Sequence, residues 1–368
     1  MKKLFLSFFS LAFCLVALEL ALRVFGYEGS AFRETHRSDF RFGDVPSQSW
    51  ALKEPRPSDP EIEVNWEKIP IVKPQGEIRI LFIGDSGTYG THVSSEQIFS
   101  TLVGHELKKR LPGQKIHVVN AAVPGMATVN EYVLLRDRLL ALKPDVVVLG
   151  VFMANDLNFN LKYERLLEEG EAREGAFSHL VSALRPRSAL VDFTFLRWEM
   201  VRYKMRWGTT SSGLYPFSYP EGEIATYESP PSAPVERAFS VMERVLGHMS
   251  ALAKERHFRL LPLLIPTTSR LASKIELQSF PWISSSLTSR GILNASLHLD
   301  FEQPTRRVLE ICSSLPLTCI DPVAKLKGLG QGAFNPKDDH LSPSAHQAVS
   351  ESILPDLLTQ IRNGSARP

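Results

Sequence analysis

The sequence predicts an α/β protein in which helices cover both faces of a parallel sheet. From residue 76 onward, short apolar runs alternate with segments of helical periodicity. The run Val146–Phe152 is apolar almost without interruption, which is typical of a parallel strand buried on both faces. This alternation predicts right-handed crossovers and a three-layer α/β/α arrangement. Ligands bind such sheets beyond the carboxyl ends of the strands, so we expect the functional site there.

We expect about five strands, and each of them is a short apolar run. They are Ile78–Ile83, Ile116–Val119, Val146–Phe152, Phe258–Ile265 and Leu317–Ile320. Pro262 cannot donate a ladder hydrogen bond, so it places the fourth strand at an edge or a bulge.

Two capping-box patterns predict where the first helices begin. Ser94-x-x-Gln97 and Thr128-x-x-Glu131 each join a hydroxyl residue to a Gln or Glu three positions later, and apolar residues follow at helical spacing. Later helices are expected near Val235–Lys254 and Thr305–Ser313.

The last helix should begin at Ser342-Pro343, with the serine as N-cap and the proline as first helical residue. Pro355 lies inside the apolar stripe that follows, so a kink or break is expected there.

The N-terminus differs from the rest of the chain. Met1-Lys2-Lys3 precedes an almost wholly apolar run that contains Glu19 as its one charge. Residues 1–23 are interpreted as an uncleaved signal anchor in the inner membrane, with the bulk of the protein on the periplasmic side. Residues 24–75 then form a tether and irregular lead-in, and 76–365 form the main domain with an insertion at 160–235.

Composition excludes several classes of function. The net charge is only +2, which predicts no nucleic-acid partner. No Cys/His cluster has metal-ligand spacing and no Gly-rich phosphate loop occurs, so we expect neither a metal nor a cofactor. Cys312 and Cys319 are seven positions apart, and both a disulfide and two unpaired thiols remain open.

Four polar signals fall where chemistry is expected. Ser86 follows the first strand in Gly-Asp-Ser-Gly, Gly125 follows the second, Asn155 follows the third, and His340 precedes the last helix. A serine hydroxyl becomes a nucleophile when an imidazole accepts its proton. Backbone N–H groups and a side-chain amide can stabilise the oxyanion of acyl transfer. Each signal alone is weak, but their joint order is far more specific.

With these motifs the chain resembles the SGNH (GDSL-type) hydrolase superfamily, in particular its bacterial envelope members. The matching blocks are Gly84-Asp85-Ser86, Gly125, Asn155-Asp156 and His340, within residues 77–160 and 235–362. The resemblance implies a flavodoxin-like sheet with Ser86 as nucleophile and His340 as base. It implies an oxyanion hole formed by the N–H groups of Ser86 and Gly125 and the amide of Asn155.

The chain departs from the family pattern at two positions. Met153 stands where the third block begins with Gly, and Lys337 stands where the family has its triad Asp. Asp338 is our choice for the carboxylate that orients the imidazole, with Asp339 as the alternative. His92 and His346 are the alternative imidazoles, and His346 is better explained as a helix-face residue.

The resemblance implies a serine esterase that cleaves O-acyl esters, above all O-acetyl esters on envelope or exported polysaccharide. Two alternatives stay open. One is an O-acyltransferase that uses the same triad with a glycan acceptor. The other is a catalytically silent binding module, which the missing Asp at the usual spacing would favour.

Overall fold

The computed structural model describes residues 2–25, 61–65, 67–153, 155–164, 225–271, 299–335 and 340–365, with short stretches between 167 and 197. The chain divides into two compact units. Residues 1–49 and 171–209 form one unit, and the remaining residues form the other.

The helices and strands lie close to the predicted positions. The strands are β1 (Glu61–Val64), β2 (Glu67–Pro70), β3 (Glu77–Ile83), β4 (Lys115–Asn120), β5 (Val146–Phe152) and β6 (Arg259–Ile265). The α-helices are α1 (Lys2–Val24), α2 (Ser86–Tyr89), α3 (Phe99–Arg110), α4 (Thr128–Asp137), α5 (Asp156–Tyr163), α6 (Ala233–Arg256), α7 (Thr268–Leu271), α8 (Gln303–Ser314), α9 (Val323–Leu326) and α10 (Pro343–Ser365). Short 3₁₀ turns occur at Ser95–Gln97, Leu139–Leu142 and Lys327–Ala333.

In the smaller unit, the apolar N-terminal run forms α1. Among the residues that the structure describes, no helix is both long and apolar enough to span a membrane, so the transmembrane prediction is not supported. The single acidic residue of the run, Glu19, interacts with protein groups. Its carboxylate accepts hydrogen bonds from Ser188 Oγ and Leu190 N, both at 2.8 Å.

In the larger unit, β3 to β6 form a parallel sheet in the order β4-β3-β5-β6. This order is flavodoxin-like, because the chain adds its second strand on one side of the first and then continues on the other. The predicted α/β class and parallel sheet are therefore observed. The expected fifth strand is reduced to a single parallel bridge between Ile320 and Leu263, so within the described residues the sheet has four strands rather than about five.

Helices cover both faces of this sheet, which gives the three layers. Side chains alternate along a strand, so β3 directs Ile80 and Phe82 to one face and Leu81 and Ile83 to the other. The Leu81 face packs against α4, α6 and α8, and the opposite face packs against α3 and α10. The segments that follow the carboxyl ends of β3, β4 and β5 carry Ser86, Gly125 and Asn155.

Two local predictions are wrong. The lead-in contains a β-hairpin, β1–β2, rather than only irregular chain, and it buries Val64 and Ile69 in the core. The predicted break at Pro355 does not occur, because α10 runs through this residue, whereas the alternative of a kink stays a prediction. Val349, Ile353, Leu357 and Ile361 are buried on both sides of the proline, and this packing offsets the lost N–H.

Cys312 and Cys319 form a disulfide, with their Cα atoms 6.1 Å apart. This settles the alternative that the spacing left open. The bond links the end of α8 to the chain segment that reaches the sheet at Ile320.

Candidate active site

Ser86 is the first residue of the short helix α2, directly beyond the end of β3. Its side chain is half-buried. The preceding residue, Asp85, is the N-cap, and its Oδ1 accepts a hydrogen bond of 2.9 Å from the N–H of Gly87. Gly90 ends the helix in a left-handed conformation with φ of 89°, and its N–H reaches Ser86 O at 3.2 Å. The hydroxyl of Ser86 is therefore presented by a turn whose two ends are both held.

Two glycines let this turn approach the sheet closely. A Cβ added to either Gly84 or Gly150 would collide with the hydroxyl of Thr88, which is fully buried. Gly84 begins the first motif and Gly150 lies in the neighbouring strand β5, so Thr88 fits between them only because both side chains are absent. The glycine of Gly-Asp-Ser is thus required by packing.

The loop after β4 carries Gly125. This residue is exposed and has φ of 81°, in the left-handed region that favours glycine. The loop is tied to the Ser86 turn because Val123 N donates to Gly84 O at 2.8 Å. In addition, the Nδ2 of Asn120 donates to Thr88 O at 3.0 Å. The second predicted motif therefore lies against the first.

Asn155 is the N-cap of α5 and is partly buried. Its Nδ2 lies 3.5 Å from Asp85 Oδ2, the outer limit of a hydrogen bond, so the third motif also meets the first. The next residue, Asp156, accepts a 2.8 Å hydrogen bond from Phe152 N and closes the turn. Met153, the residue at which the sequence departs from the pattern it resembles, is buried and donates its N–H to Ile265 O.

The three predicted oxyanion donors therefore lie at the carboxyl ends of three adjacent strands. In the described part of the chain, the backbone N–H groups of Ser86 and Gly125 make no hydrogen bond. The Nδ2 of Asn155 makes only the long contact with Asp85. Such donors can receive a developing negative charge without first breaking a strong bond.

His340 lies just before α10 and is half-buried. Its ring meets that of His92 edge to face, with 5.3 Å between centroids, and His92 belongs to the loop that follows the Ser86 turn. The carbonyl of His340 accepts a 2.7 Å hydrogen bond from Asn335 N. Asp338 and Asp339, the candidate orienting carboxylates, lie outside the described residues.

His346, one of the alternative imidazoles, is a packing residue. It is 1% exposed, its Nδ1 accepts a 3.2 Å hydrogen bond from Phe99 N, and its ring stacks on that of Phe99. Burial and the nearby His340 lower the pKa of His346 to about 4, so it is neutral at pH 7.

Three carboxyl groups behind Ser86 were not predicted as functional. Asp85, Glu131 and Asp156 are each fully buried. Burial raises the pKa of Asp85 to about 6, against the opposing effect of the hydrogen bond from Gly87 N. Burial, and then the charge of nearby carboxyl groups, raise the pKa values of Glu131 and Asp156 well above the usual range.

The predicted capping box at Thr128 is wrong. Because Glu131 was assigned to it, a buried carboxyl group was not predicted at this position. Helix α4 begins at Thr128 itself, and Asn130 Oδ1, not Glu131, reaches back to Ala127 N at 3.2 Å. Every residue from Thr128 to Leu135 is buried. The available signal was that Glu131 is the single charge in this eight-residue stretch.

No family model matches the chain, and no curated protein matches it. Solved structures with a similar fold include TesA, at 15% identity and a TM-score of 0.41 over 77% of this chain and 99% of that one. Axe2, an acetyl xylan esterase from Geobacillus stearothermophilus, is 13% identical with a TM-score of 0.41, and the match covers 76% of this chain and 94% of Axe2. A two-domain esterase active on acetylated mannans, CEX, gives 12% and 0.42, and the match spans 77% of this chain and half of CEX. Likeness at this level assigns no activity, so function rests on the chain's own residues.

Proposed function

We propose that the protein is a serine esterase that cleaves O-acyl esters through an acyl-serine intermediate. The observation that carries the proposal is the convergence of three motifs on one turn. The hydroxyl of Ser86 stands at its start, the Gly125 loop is bonded to Gly84, and the Asn155 amide approaches Asp85. A nucleophile and donors for an oxyanion are the groups that acyl transfer needs.

In the proposed reaction, His340 accepts the proton of Ser86 as the Ser86 oxygen attacks the ester carbonyl. The negative charge that forms on the carbonyl oxygen is stabilised by the N–H groups of Ser86 and Gly125 and by the Asn155 amide. Collapse breaks the ester bond, and His340 returns the proton to the departing alcohol. Water then attacks the acyl-serine by the same steps, which releases the acid and restores Ser86.

We propose acetyl groups on envelope or exported polysaccharide as the substrate class. The Cys312–Cys319 disulfide supports an oxidising compartment, where such glycans occur. Alkylation of cells before lysis tests this location. The proposal expects Cys312 and Cys319 to stay unmodified without reductant, and full alkylation of both would contradict it.

Hydrolysis of an aryl acetate by the purified chain tests the activity. Ser86→Ala and His340→Ala should each lower kcat by at least about 10³-fold, because each removes a partner of the proton transfer. Ser95→Ala is the matched control, since Ser95 is exposed and its hydroxyl donates to the neighbouring Glu96. Asp338→Asn and Asp339→Asn decide between the two carboxylates, and we expect the loss in the former.

A fluorophosphonate probe adds a second measurement, because it labels an activated serine independently of substrate choice. Absence of both hydrolysis and labelling in the parent protein would contradict the proposal and favour a silent binding module. Transfer of the acetyl group to added glycan, in preference to water, would instead identify an acyltransferase.

A further inference from the structure

Three acids are buried together without a cation behind the proposed nucleophile. Asp85 comes from the turn after β3, Glu131 from α4 and Asp156 from α5, and all three have 0% of their surface exposed. In the part of the chain that the structure describes, no ion pair involves any of them. A carboxylate buried without a cation in a medium of low dielectric constant loses its hydration, and the charge of Asp85 further raises the pKa values of both Glu131 and Asp156, so protons are retained.

The hydrogen-bond donors around each acid indicate where a proton is retained. Asp85 has hydrogen-bond donors at both oxygens. Gly87 N donates to Oδ1, and the Asn155 amide lies 3.5 Å from Oδ2. Asp156 receives Phe152 N on Oδ2, while its Oδ1 is buried without a hydrogen bond in the described structure. The Thr128 hydroxyl lies close enough to favour the charged form of Asp156, but outside hydrogen-bond geometry.

Glu131 is the least able of the three to carry a charge. Among the described residues, no donor reaches either of its buried oxygens. A carboxylate in this position would lose its hydration and gain nothing in return. A protonated carboxyl group, in contrast, has an O–H that can donate, and the unbonded Oδ1 of Asp156 is a suitable acceptor. Asp156 is also the carboxyl group whose charge acts most strongly on Glu131.

We propose that Glu131 is held as a neutral carboxylic acid that shares its proton with Asp156, and that in this form it is a positioning residue for Asn155 and the Ser86 turn. The route to the site is short. Asp156 closes the turn after β5 through Phe152 N, and that turn begins α5 at Asn155. The positioning role rests on the proposed esterase function, whereas the protonation of Glu131 does not.

Infrared difference spectroscopy at neutral pH tests the protonation state. The parent protein should show the carbonyl band of a buried protonated carboxyl group, and Glu131→Gln should remove it. Glu243→Gln, on the exposed side of α6, is the control and should leave the band unchanged. A band that persists in Glu131→Gln would overturn the assignment of the proton to Glu131, whatever the activity of the protein.

Steady-state hydrolysis tests the positioning role. Glu131→Gln keeps the shape and an N–H donor, so kcat should stay within about threefold of the parent. Glu131→Ala removes the donor and should lower kcat about tenfold or more with a smaller change in KM. Equal impairment of both variants would mean that a charged Glu131 is needed, and an unimpaired Glu131→Ala would exclude positioning; either result overturns the role. A parent without esterase activity would defeat the proposed function and this role, but the infrared band would still test the proton.

Discussion

The acids behind Ser86 and the imidazole of His346 near His340 are buried alike, yet pH acts on them in opposite directions. Burial disfavours the charged form of any group. For Asp85 the charged form is the deprotonated one, so its pKa rises to about 6. For His346 the charged form is the protonated one, so its pKa falls to about 4. Burial therefore gives a carboxyl group and an imidazole opposite pH dependences.

The signs follow from proton binding in the folded and unfolded chains. Between about pH 4 and 6, folded Asp85 keeps a proton that the unfolded chain releases, so its contribution to stability falls as the pH rises. Between pH 6.5 and about 4, unfolded His346 binds a proton that the folded chain refuses, so its contribution falls as the pH decreases. The two contributions share a window and oppose each other. Glu131 and Asp156 act in the same direction as Asp85 and extend its effect to higher pH.

The largest expected effect is on the pH dependence of the free energy of unfolding. Mutation of either residue should remove one of the two contributions. Relative to the parent at each pH, Asp85→Asn should gain on the order of 3 kcal/mol of stability as the pH rises from 4 to 6.5. His346→Leu should lose a similar amount over the same interval, again on the order of 3 kcal/mol. Urea unfolding across this window measures both. If the stabilities of the two variants relative to the parent changed with pH in the same direction, Asp85 and His346 would not have opposite pH dependences.

The next effect is on kcat. It should differ between the two regions because Asp85 and His346 contact different groups. Asp85 holds Gly87 N and lies beside the Asn155 amide, so Asp85→Ala should lower kcat about a hundredfold through misplacement of Ser86 and the amide. His346 packs against Phe99, where it accepts a hydrogen bond and stacks, so His346→Gln should change kcat by less than about threefold. Aryl acetate hydrolysis measures both. A larger loss in His346→Gln than in Asp85→Ala would reverse this assignment.

The smallest effect is the loss of one buried hydrogen bond on the imidazole side. His346→Leu leaves Phe99 N without an acceptor and should destabilise the protein by about 2 kcal/mol at pH 7. His346→Gln keeps a side-chain acceptor and is the matched control. Denaturant unfolding of both variants at pH 7 is the measurement. Equal stability of the two would show that the hydrogen bond contributes little and that stacking on Phe99 dominates.

Much of the architecture could be predicted because it depends on local pattern. The apolar runs of β3, β4, β5 and β6 and the helical stripes between them appear where they were expected. The expected fifth strand failed for a geometric reason. Ile320 pairs with β6 at one bridge only, and no periodicity in Leu317–Ile320 indicates how many residues can reach the sheet edge.

The site residues also divide into those that the local sequence pattern could place and those that it could not. Ser86, Gly125 and Asn155 could be placed at strand ends because parallel strands bring their carboxyl ends to one edge of the sheet. Glu131 could not be placed, since the spacing Thr128-x-x-Glu131 suits a cap on an exposed helix end equally well. The depth at which α4 is buried decides between these two readings, and that depth depends on α5 and α6, which are distant in sequence.

The sequence by itself determined the class of fold, the motifs that follow the first three strands of the sheet, and the residue types available for acyl transfer. Those properties depend on periodicity and on chemistry that each residue carries alone. Only the tertiary structure decided that Asp85, Glu131 and Asp156 are each fully buried, that His346 packs against Phe99, and that Cys312 and Cys319 are joined. These are effects of burial and proximity between separate segments, and the free energy of a charge or a hydrogen bond depends on those surroundings rather than on neighbours in sequence.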